Sequence, residues 1–228
     1  MFEITIDNKQ YKFPTRLTVD KWQELARWDM QVEDHFPRLI AGLIDCDWRD
    51  LQDIELGQQQ IMVGYCISLM NQRRDTKDNL DLATINFGQW IDLDVWTSEG
   101  FDKSIKKALT ILGETPWADE ALQKIERWID YRTWIYRQYA EMFGLLEEGE
   151  EDQEEDNDKP VDHNDIISGW YTIVCSLASE NLLWIDSITE QPLLSTLNFM
   201  AYQKRKQIAE NFQQLKKQRE YDLQRRSR

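Results

Sequence analysis

The spacing of apolar residues changes period early in the chain. Phe2, Ile4 and Ile6 alternate with Glu3 and Thr5, Tyr11 and Phe13 flank Lys12, and Asp7-Asn8-Lys9 offers turn chemistry between the two runs. Residues 2–13 are therefore predicted to form a β-hairpin, closed by Pro14. Two strands alone are marginal in water, so the helices that follow should cover them. Thr18 is a predicted N-cap, with Asp20 in the first turn, for a helix carrying Trp22, Leu25, Ala26 and Trp28. Helical spacing continues: Asp34 is expected to cap a helix with Phe36, Leu39, Ile40 and Leu43 inward, and residues 58–72 form the next. Asn71–Asn79 reads as a loop, residues 80–96 mix strand-like and helix-like pieces around Gly88, and Phe101–Leu112 reads as a short helix.

The clearest periodic stretch is Pro116–Phe143, with Thr115 at the N-cap and Pro116 at the first helical position. Its apolar stripe includes Leu122, Ile125, Trp128, Ile135 and Tyr139, and the opposite face holds Lys124, Arg127, Asp130, Arg137 and Glu141. Residues 147–164 break the pattern, and an acidic, disordered loop is expected there. Asp165 is expected to cap a helix reaching Asn181. Ser187, with Glu190 at capping-box spacing, or Asp186 starts a helical turn, and Pro192 opens a last long helix. That helix is dense in apolar residues at Leu193, Leu194, Leu197, Met200 and Ala201, then thins to Ile208, Phe212, Leu215 and Leu223. The expected fold is mainly α: a helical body, a small N-terminal β-hairpin and a long C-terminal helix. Its segments are a hairpin-plus-helix at 1–30, a helical body at 31–146, the acidic loop at 147–164, and C-terminal helices at 165–228 that pack on the body while the basic tail projects.

Charge sharpens this division. The 228 residues hold 27 Lys and Arg against 42 Asp and Glu, a net of −15. Residues 147–158 contribute nine acids and no base, whereas residues 203–228 carry +6 and residues 1–202 carry −21. An acidic body repels anionic membrane and nucleic acid, which disfavours both as partners. No apolar run reaches the roughly 18–20 residues of a membrane span. The N-terminus lacks the basic-then-apolar pattern of a signal peptide. Cys46, Cys66 and Cys175 have no short pair spacing, so reduced thiols in a cytosolic protein are expected.

Candidate chemistry is sparse. His35 and His163 each neighbour an Asp, but catalysis also needs a nucleophile and oxyanion donors that converge. Both histidines therefore read as solvated, His163 within the expected loop. Two His and three Cys are scattered rather than set at zinc spacing. A calcium-loop frame from Asp156 fails, with Val161 where Gly is needed and Ile167 where Glu is needed. Ser104-Ile105-Lys106-Lys107 matches S-x-x-K without its companion motifs and reads as a helix face. No Gly-rich phosphate loop occurs. No cofactor, metal or catalytic residue is expected, and the chain is read as non-enzymatic, with an enzyme of unrecognised site, which would need a deep pocket of converging polar groups, as the second alternative.

Ten Trp and the tail remain to be explained. Trp128, Trp134, Tyr131, Tyr136 and Tyr139 on one helix either fill a core or exceed it and face a partner. The tail's cations either complement the helix dipole, contact phosphate, or meet the acidic loop of a neighbouring copy. The residues expected to bind a protein partner are Trp128, Trp134, Tyr139, Ile208, Phe212, Leu215 and Arg219.

Three blocks, Phe2–Leu25, Thr84–Leu112 and Trp170–Phe199, carry a resemblance: FEITIDNKQYKF with LTVDKWQEL, INFGQWIDLDVW before a helix ending ILG, and WYTIVCSLASENLLWIDSITEQPLLSTLNF. This order resembles accessory proteins encoded among the tail and baseplate genes of contractile-tailed, T-even-type phages. The resemblance implies a tail or baseplate assembly factor, or a minor structural component of the virion. Its partners would be other tail and baseplate proteins, met in the host cytoplasm or in the particle. No block is a catalytic signature, and the acidic stretch and basic tail lie outside the resemblance.

Overall fold

The structure, a computed structural model, describes residues 3–6, 9–74, 81–143 and 163–226, with side chains to Tyr221. It is mainly α-helical, with ten α-helices among the described residues, one antiparallel N-terminal hairpin and a long C-terminal helix. The chain divides into two compact units. One combines Met1–Leu80 with Leu93–Ile129, and the other Asp81–Asp92 with Asp130–Arg228. Neither coincides with the segments 1–30, 31–146 and 165–228, because the divisions fall inside two helices where no turn residue marks them. Most of the acidic segment 147–164 lies outside the described residues; His163 and Asn164 belong to a helix.

In the first unit, β1 (Glu3–Ile6) pairs with β2 (Lys9–Lys12), Ile4 opposite Tyr11 and Ile6 opposite Lys9. Ile6 and Phe13 are buried in a core shared with α1 (Val19–Leu25), α2 (Phe36–Ile44) and α3 (Leu56–Met70). Tyr65 of α3 meets Phe13 edge-on at 5.6 Å and donates its hydroxyl to the Pro14 carbonyl, 2.9 Å away, so the hairpin gains the cover it lacks alone. Thr18 caps α1 as expected, its hydroxyl accepting from the Lys21 N–H. Asp34 does not cap α2. It sits in a short 3₁₀ turn, Glu33–His35, that runs directly into the helix.

An antiparallel bridge joins distant parts of this unit. The Val19 N–H donates to the Pro116 carbonyl (2.9 Å) and the Ala118 N–H to the Leu17 carbonyl (3.0 Å). This bridge holds residues 116–117 out of the helix. α6 therefore runs Ala118–Gln138 rather than starting at Pro116, and Thr115 accepts from the Trp117 N–H ahead of it. Arg16 lies over the Trp117 ring at 4.4 Å, pairs with Asp119 and donates to Glu120. α5 (Phe101–Leu112) ends at Gly113, whose φ of 92° suits glycine, and the Gly113 carbonyl accepts from Lys124 Nζ at 2.9 Å. Lys124, expected on the outer face of α6, is therefore buried.

The second unit repeats the bridge. The Phe87 N–H donates to the Gln191 carbonyl (2.8 Å) and the Leu193 N–H to the Ile85 carbonyl (3.2 Å), at the starts of α4 (Phe87–Glu99) and α10 (Leu193–Arg226). The ambiguous stretch 80–96 is thus helical from Phe87. Asn86 Oδ1 accepts from the Gln89 N–H while Gln89 Oε1 accepts from the Asn86 N–H, a reciprocal cap. A break at Tyr139 separates α6 from α7 (Ala140–Phe143). α8 spans His163–Leu177, so His163 is helical rather than in a loop, and Asp165 lies in the first turn rather than at the cap. A 3₁₀ turn, Leu182–Trp184, is capped by Asn181 and precedes α9 (Ile185–Thr189), which leaves Ser187 inside the helix.

Arg16 holds the Glu120 carboxyl below its ordinary value of 4.5, first through its hydrogen bond. A depressed carboxyl adds stability above its unfolded value and loses it as pH falls through the folded one. Arg16→Ala should lower unfolding free energy by about 1.5–3 kcal/mol at pH 7. Urea titrations should show the gap to wild type narrowing below pH 4.5, as the lowered carboxyl is protonated.

Candidate functional site

α10 is about 50 Å long at 1.5 Å per residue, and its two halves differ in environment. At its start Leu193 and Leu197 are fully buried. The Tyr139 hydroxyl donates to Asn198 Oδ1 at 2.9 Å, and Arg205 Nε donates to Glu141 Oε2 at 3.2 Å. A groove of about 740 Å³ borders α7, α8 and α10, with Phe143, Ile173, Leu177, Phe199, Met200 and Lys204 among its lining residues. From Tyr202 to Tyr221 every residue is exposed.

At 3.6 residues per turn, Leu194, Leu197, Ala201, Ile208, Phe212, Leu215 and Arg219 fall within about 40° of one line along the helix. The same line that packs inward at Leu197 thus continues outward, with Phe212 70% exposed and Leu215 56%. Leaving such side chains in water forgoes about 1.5–3 kcal/mol each relative to full burial. That face can bind.

The expected contact residues separate on this geometry. Ile208, Phe212, Leu215 and Arg219 share the exposed face of α10. Tyr139 is half-buried against the docked half of the helix. Trp134 is 48% exposed and stacks on Tyr131 at 5.7 Å. Trp128 belongs to the core. It is fully enclosed, its Nε1 donating to Thr97 Oγ1 at 3.0 Å, so it offers no surface to a partner.

One exposed set escaped the sequence reading. Leu182, Leu183 and Trp184 are 76%, 84% and 54% exposed after the left-handed residues Ser179 and Glu180. The signal was present, because three consecutive apolar residues in one tight turn cannot all point to one side. Of the thiols, Cys66 is buried while Cys46 and Cys175 are half-buried. Burial, then the charges of Asp50 and Asp47, pushes Cys46 up to about 11, and burial does the same to Cys66. Both stay protonated at neutral pH and are poor nucleophiles. Among the described residues no cluster of three or more His, Cys, Asp or Glu could hold a metal, and no helix is long and apolar enough to cross a membrane.

Comparison with known protein families, curated proteins and solved structures finds no match to this chain.

Phe212→Ala and Leu215→Ala should each leave unfolding free energy within about 0.5 kcal/mol of wild type, as expected for exposed sites. Trp128→Ala should cost about 3–5 kcal/mol. Urea unfolding followed by circular dichroism measures all three.

Proposed function

We propose that this chain is a non-enzymatic assembly factor that works by reversible protein–protein binding through the distal half of α10. One observation carries the reading: the apolar line of α10 continues through Ile208, Phe212 and Leu215 where the described residues of its own unit leave it exposed. Its exposed apolar side chains lie where a partner would bury them, and large side chains of this kind dominate interface energies. The resemblance in Phe2–Leu25, Thr84–Leu112 and Trp170–Phe199 supports a setting among tail and baseplate proteins of a contractile-tailed phage. On this reading the protein shields a sticky tail or baseplate component in the host cytoplasm and helps set the order of assembly. The acidic body keeps the complex in solution.

Co-expression with the products of neighbouring genes, followed by copurification, tests the reading. The full chain should retain a partner. Deletion of residues 203–228 should release it while shifting unfolding free energy by no more than about 1 kcal/mol, the scale of an exposed ion pair such as Arg205–Glu141. Mass spectrometry of mature particles then separates a factor that leaves from a minor structural component that stays. A full chain that remains monomeric and partnerless beside all its neighbours would sink the proposal.

A further inference from the structure

We infer that the partner segment seated on α10 is an acidic amphipathic helix. This rests on the proposed binding role of α10 and adds the chemistry of its occupant. Around the exposed line of Ile208, Phe212 and Leu215, the residues of 202–221 within about 75° are Lys204, Arg205, Asn211, Lys216 and Arg219, with no acid among them. The acids of that stretch, Glu210 and Glu220, lie about 170° and 110° away, and the first acid to return to the phase of the seam is Asp222, after Tyr221. Lys206 and Lys217 also lie on the far side. The face is therefore an apolar seam with Arg205 and Lys216 along one edge, Lys204 at the start of the other and Arg219 in line with it. Arg205 already illustrates what such a flank takes, since it donates to the carboxylate of Glu141.

Charge decides between occupants. A second copy laid on this seam would bring Lys204, Lys216 and Arg219 against their own equivalents if parallel, and Arg205 against Arg219 if antiparallel about Phe212, and like charges across a helix pair oppose association. A phosphate backbone would satisfy the cations and leave Ile208, Phe212 and Leu215 without apolar contact. A bilayer surface favours a broad apolar face, whereas here only about one large apolar residue occurs per turn. An acidic helix with its own apolar stripe fills the seam and pairs both flanks.

The test uses the full chain and a labelled synthetic helix of about 24 residues, long enough to be helical. It carries Leu at heptad positions a and d and Glu at e and g, whose mutual repulsion opposes pairing with itself. Fluorescence anisotropy should show this peptide binding at least about 10-fold more tightly than a Lys-flanked version, and weakening as salt rises. Phe212→Ala and Arg219→Glu should each weaken binding by about 10-fold or more. Lys217→Glu, an equal charge change on the far side, should stay within about twofold. The double variant Lys216→Glu/Arg219→Glu should reverse the preference toward the Lys-flanked peptide. Equal losses from Lys217→Glu and Arg219→Glu would overturn the assignment, as would tighter binding to phosphatidylserine vesicles or to duplex DNA. If the Glu-flanked peptide fails while the chain still copurifies with its neighbours, the acidic occupant is wrong and the assembly reading stands. If it binds while nothing copurifies, the occupant's chemistry stands and the assembly reading falls.

Discussion

Both units hang on the same two-bond bridge. In each, a residue just before one helix lies antiparallel to a residue just before another: Thr18 beside Trp117, Asn86 beside Pro192. The flanking amides donate in the same pattern, Val19 to Pro116 and Ala118 to Leu17, then Phe87 to Gln191 and Leu193 to Ile85. Helix starts leave N–H groups without intrahelical partners. Each bridge satisfies one from each of two helices at once and fixes where both begin. The local sequences match the geometry. Thr18 and Asn86 each cap their own helix, and a tryptophan follows four residues later, Trp22 and Trp90. Proline stands one residue before, or at, the other side of the bridge, at Pro116 and Pro192. In the first unit Arg16 reinforces the contact by stacking on Trp117 and pairing with Asp119.

The second bridge also determines what α10 can do. By fixing the start of the helix at Leu193, it sets the rotation of every later residue, because helix phase is cumulative. Leu193 and Leu197 turn inward, and the phase that buries them also places Ile208, Phe212 and Leu215 on one continuous line. The described residues of the unit leave that line exposed. A helix with no further role could have become polar beyond its last docked turn, with no cost in packing. Here the apolar positions persist at helical spacing and gain a basic border. The exposed apolar face is thus an extension of the core pattern past the end of the core.

Much of this was legible in the residues. Alternation at Ile4, Ile6 and Tyr11 marked the hairpin, Thr18 marked a cap, Phe101–Leu112 was bounded as found, and the thinning stripe after Ala201 located the exposed half of α10. What was misread depended on partners far along the chain. Pro116 has the local chemistry of a first helical residue, yet its carbonyl is taken by Val19 and the helix waits until Ala118. Lys124 has the periodicity of an outward position, yet the Gly113 carbonyl at the end of the preceding helix draws it in. Trp128 and Trp134 are both large, amphipathic and on one helix, and only their neighbours assign one to a core and the other to a surface. The helical start at Phe87 is a different case. Asn86-x-x-Gln89 is a capping signal that strand-like residues on either side concealed.

The aromatic content separates the two units more clearly than fold does. Three of the ten tryptophans, Trp28, Trp48 and Trp117, lie in the first unit under arginines, at 5.0 and 5.2 Å from Arg38 for the first two and 4.4 Å from Arg16 for the third. An arginine over an indole face covers apolar area and satisfies a charge together, so these rings are finished surfaces. The second unit leaves more open. Among the described residues, sixteen large apolar side chains are exposed, and only Val32, Leu56, Ile61 and Ile129 belong to the first unit. The other twelve fall in the second, including Leu182–Trp184 and the seam of α10. Scattered exposed apolar residues are ordinary on a protein surface, but an uneven division between two units of one chain is not explained by scatter. It fits a chain in which one unit is complete in itself and the other still has apolar surface to bury, with α10 carrying much of that surface outward.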